Sequence, residues 1–384
     1  MRIDYAVQSN DTGRVLAIDT TNEPFYVQLP APSSGFKITI KDGVGLAGIN
    51  PIHVIRSSSS VTIDNGPNDD IIDTNFGAVS YISDGTGWYR ISSALFGVDY
   101  LVFGGGDTGA VSNVIDRVQL SAAAVVTDFG DLTVARSFLA ALGSATRGVF
   151  GGGSTGSNSN VIDYITFGSP GNAIDFGDLT VARFSLSGSS NAIRGLFSGG
   201  NSPHDIIDYI TIATLGNATD FGDMLSARAA PASLASTVRA VIAGGEFSGG
   251  ADSNAIDYVT IATLSNASNF GTLTQSRHSA AGCASDVRGV IGGGGNDSPV
   301  NTIDYITIAT TGNALDFGDL AVARRSLGAA STKKTAVFAG GTTGSVSSVI
   351  ERVEIATLSN ASNFGNLTVA RTGVAGCSGV HGGI

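Results

Sequence analysis

Short apolar segments separated by turn-forming residues recur along most of the chain. Between residues 137 and 180 the segments are SFLAALG, RGVFGGG, VIDYITF and AIDFGDLT. They are rich in Val, Ile, Phe, Tyr and Thr, and Gly, Ser, Asn and Asp bound them, which is typical of β-strands. None of them has the length or the 3.6-residue period of an ordinary helix. The pattern therefore predicts short strands, four in each stretch of this kind.

The pattern is repeated six times between about residue 97 and the end of the chain, in steps of 47, 45, 49, 47 and 47 residues. Four strands in a unit of this length predict the blade of a β-propeller, whose copies stack around an axis to bury their faces. Three marks identify each copy: an Ile-acid pair (Ile115, Ile162, Ile207, Ile256, Ile303, Ile350), a Phe-Gly pair (Phe129, Phe176, Phe221, Phe270, Phe317, Phe364) and an Arg (Arg136, Arg183, Arg228, Arg277, Arg324, Arg371).

The two ends of the repeated region predict how the ring closes. The first copy begins at YLVFGGG (100–106), which corresponds to the second strand of a copy. The last Arg is followed by TGVAGCS (372–378), which corresponds to a first strand. We therefore expect the C-terminal segment to complete the sheet begun by residues 97–135, which removes an open sheet edge. The expected architecture of residues 96–384 is a closed, six-bladed, all-β propeller.

A di-glycine, a Tyr, a second aromatic residue and an Arg follow one another in a fixed order in the copies. In the second copy they are Gly151-Gly152-Gly153, Tyr164, Phe176 and Arg183. This order resembles the kelch repeat, in which a di-glycine, a Tyr and a Trp mark each blade. Phe stands in the place of Trp in every copy, and Arg117 and Arg352 replace Tyr in the first and last copies. The resemblance implies a kelch-like propeller but no particular activity, because propellers host many functions.

Residues 1–95 do not share the period and predict a separate β domain, of a small β-sandwich or β-prism-like kind. Apolar and polar residues alternate over Lys37–Lys41, and Asp84-Gly85 predicts a hairpin turn. Trp88, the only Trp, is expected to be an anchor of the core or of a subunit interface.

The motifs of this domain are an LPAPS lead, an ITIKD strand, an NPI strand, a TIDNG turn and a closing DGTGWY. Together they are similar to a small β domain of tailed-phage fibre proteins and other virion proteins. The resemblance implies a module for virion attachment or trimerisation, and hence other virion proteins as partners of residues 1–95.

Charge and composition exclude several classes of protein. A net charge of −11 with 21 Lys and Arg residues argues against binding to nucleic acid. No apolar run approaches the roughly 18 residues that span a bilayer, so membrane insertion is not expected. The 53 Gly residues follow no triplet period, and most of them mark the ends of predicted strands.

Residues that could carry out chemistry are scattered. The four His residues are distributed over different segments, and no two share a motif, so neither a metal site nor a cofactor is expected. Copper oxidases with a kelch-like fold hold their metal with a cluster of His, Tyr and Cys ligands, and because the His residues here are scattered, that activity is not expected. Cys283 and Cys377 occupy the same position in two copies, and we expect small buried thiols that line the axis and form no disulfide.

Paired carboxylates recur as a DFGD motif in four copies, for example at Asp175 and Asp178. Such pairs can bind calcium or act as acid and base. A site that is needed once would not be repeated four times, so we expect Asx-type turns in which the carboxylates accept backbone N–H groups. The following Arg would then neutralise the second carboxylate, as Arg183 would for Asp178.

The loop between the last Gly and the Ile-acid pair holds all the length variation of the repeat, with lengths of 8, 8, 6, 10, 8 and 8 residues. These loops are rich in Ser, Thr, Asn, Asp and Gly, and they would project from a single face of the disc. Variable loops on one face are typical of a binding surface, although exposed loops also vary in length without function. The chemically distinctive candidates for ligand binding are Asn158, His204, Glu246, Phe247 and Asp297.

These patterns lead to a functional hypothesis. The chain is expected to be a non-enzymatic structural protein of a phage virion, located on the tail or capsid surface, and a trimer. Its propeller would bind a host-surface glycan as a tail or head fibre-type adhesin, or decorate the particle. The alternative is a carbohydrate-active enzyme on a propeller scaffold, and a third possibility is an intracellular kelch-type scaffold, which would not be expected to carry this N-terminal domain.

Overall fold

The computed structural model describes residues 3–44, 47, 50–63, 69–72, 78–94, 100–120, 125–168, 170–296 and 298–379. These residues form an all-β protein of eight four-stranded sheets, with one 3₁₀ turn at Ser9–Asp11. The chain divides into two compact units, Met1–Val98 and Asp99–Ile384. Among the described residues, no helix has the length and apolar character that a membrane-crossing segment needs.

The N-terminal unit contains two sheets, and in each of them a parallel pairing precedes an antiparallel one. Its strands are β1 (Tyr5–Ala6), β2 (Val15–Ile18), β3 (Phe25–Gln28), β4 (Lys37–Asp42), β5 (Ile52–Ile55), β6 (Asp70–Ile72), β7 (Ala78–Ser83) and β8 (Trp88–Ala94). One sheet has the order β1-β3-β5-β6 and the other β2-β4-β7-β8. The predicted hairpin at Asp84-Gly85 is confirmed, because β7 and β8 pair antiparallel and Gly85 has φ 98°.

Both sheets contribute to one apolar core, and Trp88 lies in it fully buried. The indole Nε1–H donates to the Pro30 carbonyl oxygen at 3.1 Å, and the ring packs edge-on against Phe36 with centroids 5.5 Å apart. A buried indole whose N–H is satisfied is an anchor of the core. The prediction of an anchoring role for Trp88 is confirmed, and it lies in the core of this unit.

The C-terminal unit consists of six four-stranded antiparallel sheets, one for each copy of the repeat, which we number 1 to 6. Sheet 1 contains β32 (Ala375–Ser378), β9 (Tyr100–Gly104), β10 (Val114–Gln119) and β11 (Val125–Asp131). Sheets 2 and 3 contain β12 (Ala140–Gly143), β13 (Arg147–Gly151), β14 (Val161–Thr166) and β15 (Ile174–Asp178), then β16 (Ser187–Ser190), β17 (Arg194–Ser198), β18 (His204–Thr211) and β19 (Thr219–Arg228). Sheets 4 and 5 contain β20 (Ala232–Ala235), β21 (Arg239–Ala243), β22 (Ala255–Thr260) and β23 (Ser268–Thr272), then β24 (Ala281–Ala284), β25 (Arg288–Gly292), β26 (Thr302–Thr307) and β27 (Leu315–Asp319). Sheet 6 contains β28 (Gly328–Ser331), β29 (Thr335–Ala339), β30 (Val349–Glu354) and β31 (Ser362–Asn366).

Sheet 1 is assembled from the two ends of the unit. Strand β32 pairs antiparallel with β9, with Ala375 opposite Gly104 and Ser378 opposite Leu101. The prediction that the C-terminal segment completes the first sheet is therefore confirmed. The first strands of neighbouring sheets also contact one another in the cyclic order β32, β12, β16, β20, β24, β28 and back to β32.

A buried ion pair joins each sheet to the next. The Arg that ends one copy meets the acid of the Ile-acid pair in the following copy, and both side chains are almost completely buried. Arg371 of the last copy meets Asp116 of the first at 2.8 Å, so the series of pairs is cyclic. The predicted pairing of Arg183 with Asp178 is wrong, because the Arg183 Nη1 lies 2.9 Å from Asp208 Oδ2 in the next sheet. The pairs are Arg136–Asp163, Arg183–Asp208, Arg228–Asp257, Arg277–Asp304, Arg324–Glu351 and Arg371–Asp116.

The Phe-Gly motif forms a β-bulge in the outer strand of each sheet, not the Asx-type turn expected from the sequence. In sheet 2, Ile162 lies opposite Gly177 and Asp163 lies opposite Asp175, so Phe176 is the extra residue. Gly177 has φ 146°, and a Cβ there would lie 2.5 Å from the Gly216 carbonyl oxygen of sheet 3. A bulge re-aims its side chain, and here it buries the Phe ring. The bulge therefore requires Gly for its conformation and for the close approach of the next sheet.

The two Cys residues are buried thiols, as predicted, and both are free. Their predicted position along the axis is wrong. Cys283 packs with Phe317 and Phe338 in the core between sheets 5 and 6, and Cys377 packs with Phe150 in the core between sheets 1 and 2. The central cavity is lined instead by residues nearer the start of the same strands, such as Ala281 and Gly282. The Cys side chains lie further along the strands, in the cores between neighbouring sheets.

Candidate functional site

One face of the C-terminal unit carries both the variable loops and the linkers between sheets. Each linker runs from the buried Arg to the first strand of the next sheet, and it lies against the start of that sheet's variable loop. In sheet 4, Ala229 and Glu246 exchange two backbone hydrogen bonds of 2.8 and 2.9 Å. Because the linkers pack against the loops in this way, we treat the two sets of segments as one surface, the loop face.

A closed ring of backbone hydrogen bonds holds the linkers in place. The second residue after each Arg has φ between 48° and 63°, a left-handed conformation that is uncommon for residues other than Gly. Each of these residues donates its N–H to the carbonyl oxygen of its counterpart in the preceding copy at 2.8 to 2.9 Å, and Phe138 donates to Gly373 to complete the ring. The ring residues are Phe138, Ser185, Ala230, Ser279, Ser326 and Gly373. The loop face therefore has a rigid centre.

The centre of the ring is not a ligand site for anything larger than a few water molecules. Two cavities lie there, with volumes of about 90 and 70 Å³. Ligand pockets have volumes of about 300 to 1,000 Å³. A larger cavity of the described part of the chain opens off the centre, beside the loops of sheets 3 and 4.

The first residue after each buried Arg has a different side chain in every copy. The residues are Ser137, Phe184, Ala229, His278, Arg325 and Thr372. They stand between the repeated Arg and the residue of the hydrogen-bonded ring, on the loop face. Each part of the loop face therefore has its own side-chain chemistry, and connecting segments on a regular scaffold are where binding residues are commonly found.

A cleft of about 390 Å³ lies where three of these positions meet. Phe184 and Phe247 form apolar walls, Glu246 and His278 contribute polar groups, and Ala229 lies between Phe184 and His278 in copy order. The methyl side chain of Ala229 leaves open a space that the Phe of the preceding copy would fill. Ser185 and Ser279 of the hydrogen-bonded ring also line the cleft.

The loop of sheet 4, which is the longest of the six, presents Glu246 and Phe247 in a fixed conformation. The N–H of Phe247 donates to the Ala251 carbonyl at 2.9 Å, and the N–H of Gly250 donates back to the Phe247 carbonyl at 3.1 Å. Gly249 and Gly250 have φ of 101° and 88°, which permits this tight turn. The loop thus fixes the backbone from which the Glu246 and Phe247 side chains project.

His278 is oriented by a carboxylate from the same loop. Its Nδ1 lies 2.8 Å from Asp252 Oδ1, and the two side chains are 19% and 9% exposed. The second oxygen, Oδ2 of Asp252, is buried and has no hydrogen-bond partner within the described residues. The contact ties the linker of sheet 5 to the loop of sheet 4, and it fixes one edge of the cleft.

The residues predicted for binding are only partly brought together. Glu246 and Phe247 line the cleft, whereas Asn158 and His204 do not. Asn158 accepts a hydrogen bond from Asn201 Nδ2 at 3.2 Å and donates to the Ala182 carbonyl at 3.3 Å, so it supports a neighbouring loop. His204 lies at the start of β18, opposite Arg228 of β19. Asp297 lies outside the described residues.

Sequence reasoning missed Phe184, Ala229, His278 and the two ring serines. They come from three different copies, so no local motif joins them. The position after each Arg differs in every copy, but the positions that follow it differ as well, so the sequence did not single these residues out.

Within the described ranges, no three His, Cys, Asp or Glu side chains come together in a way that would hold a metal ion. No family model matches this chain, and no curated protein matches it. The functional assignment therefore depends on the geometry of the cleft and on the motifs in the sequence.

Proposed function

We propose that this chain is a structural protein of a phage virion, of the fibre type, whose C-terminal unit binds a host-surface glycan. The six sheets are the blades of a kelch-like, six-bladed propeller that the C-terminal strand closes. Residues 1–95 attach the protein to other virion proteins and form a trimer, on the tail or capsid surface. The cyclic series of Arg-acid pairs and the backbone ring support the propeller, and the motifs of residues 1–95 support the virion assignment.

The observation that carries the binding role is the cleft on the loop face. Aromatic walls, hydroxyl groups and a carboxylate on a rigid frame are the groups with which proteins bind saccharides, whose rings present C–H faces between hydroxyls. The hydrogen-bonded ring and its linkers repeat six times, but the cleft occurs where the small Ala229 lies between the larger Phe184 and His278. The site therefore depends on side chains that differ between the copies.

Binding of the full-length chain to a glycan array tests this role, with Ala229→Phe as the diagnostic variant. A phenyl ring at residue 229 fills the cleft, and we expect a loss of affinity of at least about tenfold, or about 1.4 kcal/mol. Thr372→Phe is the matched control, because it introduces the same side chain at the equivalent position of sheet 1, three sheets away around the cycle.

Equal binding by wild type and Ala229→Phe would exclude the cleft as the glycan site. Absence of any saccharide binding, together with firm incorporation into particles, would leave only the decorating role. The mass of the full-length chain in solution tests the trimer, and a monomeric mass would contradict it.

The alternative of a carbohydrate-active enzyme has one observation in its favour. Glu246 and the His278–Asp252 pair lie at the same cleft, and carboxylates perform acid and base steps in glycoside hydrolysis. New reducing ends released from a bound saccharide, and their loss in Glu246→Gln, would favour the enzyme. Binding without turnover favours the adhesin.

A further inference from the structure

We infer that the cleft selects a saccharide that carries a free, protonated amino group, such as a 2-amino-2-deoxy sugar. The inference rests on the proposed glycan-binding function and specifies its ligand. It depends on the charge and hydrogen-bonding capacity of the groups that line the cleft.

The first observation is an unbalanced carboxylate. Glu246 is half-buried at the cleft, and the lining residues include no Lys or Arg. The Glu246 carboxylate has no hydrogen-bond or ion-pair partner within the described residues. Gly250 lies beside it, and because Gly has no side chain the carboxylate stays accessible; a Cβ at residue 250 would lie 3.5 Å from Glu246 Oε1. Arg239, the Arg nearest in sequence, donates to the Ile308 and Ala309 carbonyls and lies over the Tyr258 ring. Arg228 and Arg277 are committed to buried pairs with Asp257 and Asp304. A ligand that supplies a cation would complete the site.

The second observation is the pair of aromatic walls. Phe184 and Phe247 both line the cleft. The face of a phenyl ring attracts cations as well as C–H groups, and the attraction strengthens when the cation is partly removed from water. An ammonium group next to Glu246 is thus favoured by the walls, whereas a sugar carboxylate or sulfate would be repelled by Glu246.

The third observation distinguishes a sugar from a simple amine. The hydroxyl groups of Ser185 and Ser279 line the cleft and make no hydrogen bond within the described part of the chain. Each hydroxyl can donate and accept, which matches ring hydroxyls on a saccharide. The volume of about 390 Å³ lies at the low end of ligand pockets, so the cleft admits a short saccharide.

Calorimetric titration of the full-length chain with matched tetrasaccharides tests the inference. The probes are the glucosamine tetramer, its N-acetylated counterpart and cellotetraose, at about pH 5.5, where most of the amino groups carry a proton and a Glu carboxylate is ionised. We expect the glucosamine tetramer to bind at least about tenfold more tightly than the other two, the difference that one charge-assisted contact supplies. Glu246→Gln, which keeps the size of the side chain, should remove this preference, so that the three tetramers bind the variant with similar affinity.

Three results would overturn the inference. The first is equal affinity of the wild-type chain for the three tetramers. The second is a preference for the glucosamine tetramer that survives in Glu246→Gln. The third is competition by lysine amide that takes effect at the same concentration as the glucosamine tetramer. The two proposals fail separately. Binding of neutral or acidic saccharides that Ala229→Phe abolishes would overturn the amino-sugar preference alone, whereas absence of binding to every saccharide would overturn the glycan-binding function as well.

Discussion

Arg371 and Asp116 join the last copy of the repeat to the first, and replacing Arg371 by Met should destabilise the C-terminal unit strongly. Both side chains are fully buried. Asp116 accepts hydrogen bonds from Arg371 Nη2 at 2.8 Å, from Thr368 Oγ1 at 2.5 Å and from Thr368 N at 3.1 Å. Arg371 also donates to the Val114 and Phe103 carbonyls at 2.8 and 3.1 Å.

Arg371→Met fills the volume of the side chain but leaves the Asp116 carboxylate buried without a counter-charge. Removal of one partner of a buried pair costs about 3 to 5 kcal/mol, because the remaining charge is uncompensated. Adding Asp116→Asn removes that charge and keeps an oxygen for Thr368. We therefore expect the double variant to recover a large part of the loss, with a net cost of about 1 to 2 kcal/mol for the missing hydrogen bonds.

Hydrogen exchange measured by mass spectrometry on β9 and β32 gives the free energy of opening at this junction. Protection in Arg371→Met should fall first in these two strands. The fluorescence of Trp88 reports on the N-terminal unit and should not change. Arg228→Met, which breaks the equivalent pair between sheets 3 and 4, is the matched control, and its loss of protection should begin in β20 and β21, the counterparts of β32 and β9.

A cost of Arg371→Met below about 1 kcal/mol, the level of an exposed ion pair, would refute the reasoning. So would a double variant whose loss equals the sum of the two single losses, because the pair would then carry no coupling energy.

Three further predictions concern the repeated scaffold. Gly177→Ala should lower the melting temperature more than Gly156→Ala: both positions have positive φ, but a Cβ at residue 177 would lie 2.5 Å from a backbone oxygen whereas residue 156 faces open space; equal effects would contradict the packing argument. Ala321 precedes Arg324 by three residues, as Thr368 precedes Arg371, and the Thr368 hydroxyl donates to Asp116. Ala321→Thr should therefore raise the free energy of unfolding by about 1 kcal/mol in urea titrations, because Glu351 Oε1 is buried without a partner within the described residues. A lower stability of the variant would show that the hydroxyl does not reach Glu351. Cys283, whose pKa burial raises to about 12, should resist alkylation at about pH 8 until the protein unfolds, because only the thiolate reacts; labelling of the native protein, checked by intact mass, would contradict this.

The strands of the repeat were predictable because their signal is local. Each apolar run in residues 137–180 is bounded by turn residues, and the structure places a strand in each of them. The role of β32 was predictable for a different reason. The segment TGVAGCS corresponds to a first strand, but no further strands follow it in the chain. Strand β9 corresponds to a second strand, but no first strand precedes it in the repeat, so the two are expected to pair in one sheet.

The partner of Arg183 could not be predicted in the same way. Because the sequence repeats, an Arg has acidic residues both in its own copy and in the next copy. The periodic pattern is the same whether the Arg pairs within its copy or with the next one. The structure selects Asp208 because the end of one sheet lies against the third strand of the next. The Phe-Gly bulge was missed for a related reason, since Asp, Gly and Asp around one Phe are equally typical of a turn.

The candidate site was predicted only where its residues belong to one loop. Glu246 and Phe247 are adjacent in the chain and stand in the longest variable loop, so the sequence singles them out. His278 lies 32 residues after Glu246 in the sequence. Its side chain is positioned at the cleft by the contact with Asp252. Contacts of this kind follow from the packing of sheets on one another, which local patterns do not specify.

The pairing of β9 with β32 determines how the C-terminal unit responds to mechanical load. Leu101, near the start of β9, lies opposite Ser378, the last residue of β32, so the two ends of the unit leave the sheet side by side. Tension between these ends would peel the strands apart one hydrogen-bonded pair at a time, which is the weakest direction for an antiparallel ladder. Tension between residue 100 and a ligand held in the cleft takes a different route, from β9 through neighbouring sheets, and does not separate the two strands in that way. If the cleft binds a ligand as we propose, a load between residue 100 and that ligand would therefore not act across the ends of the β9–β32 pair.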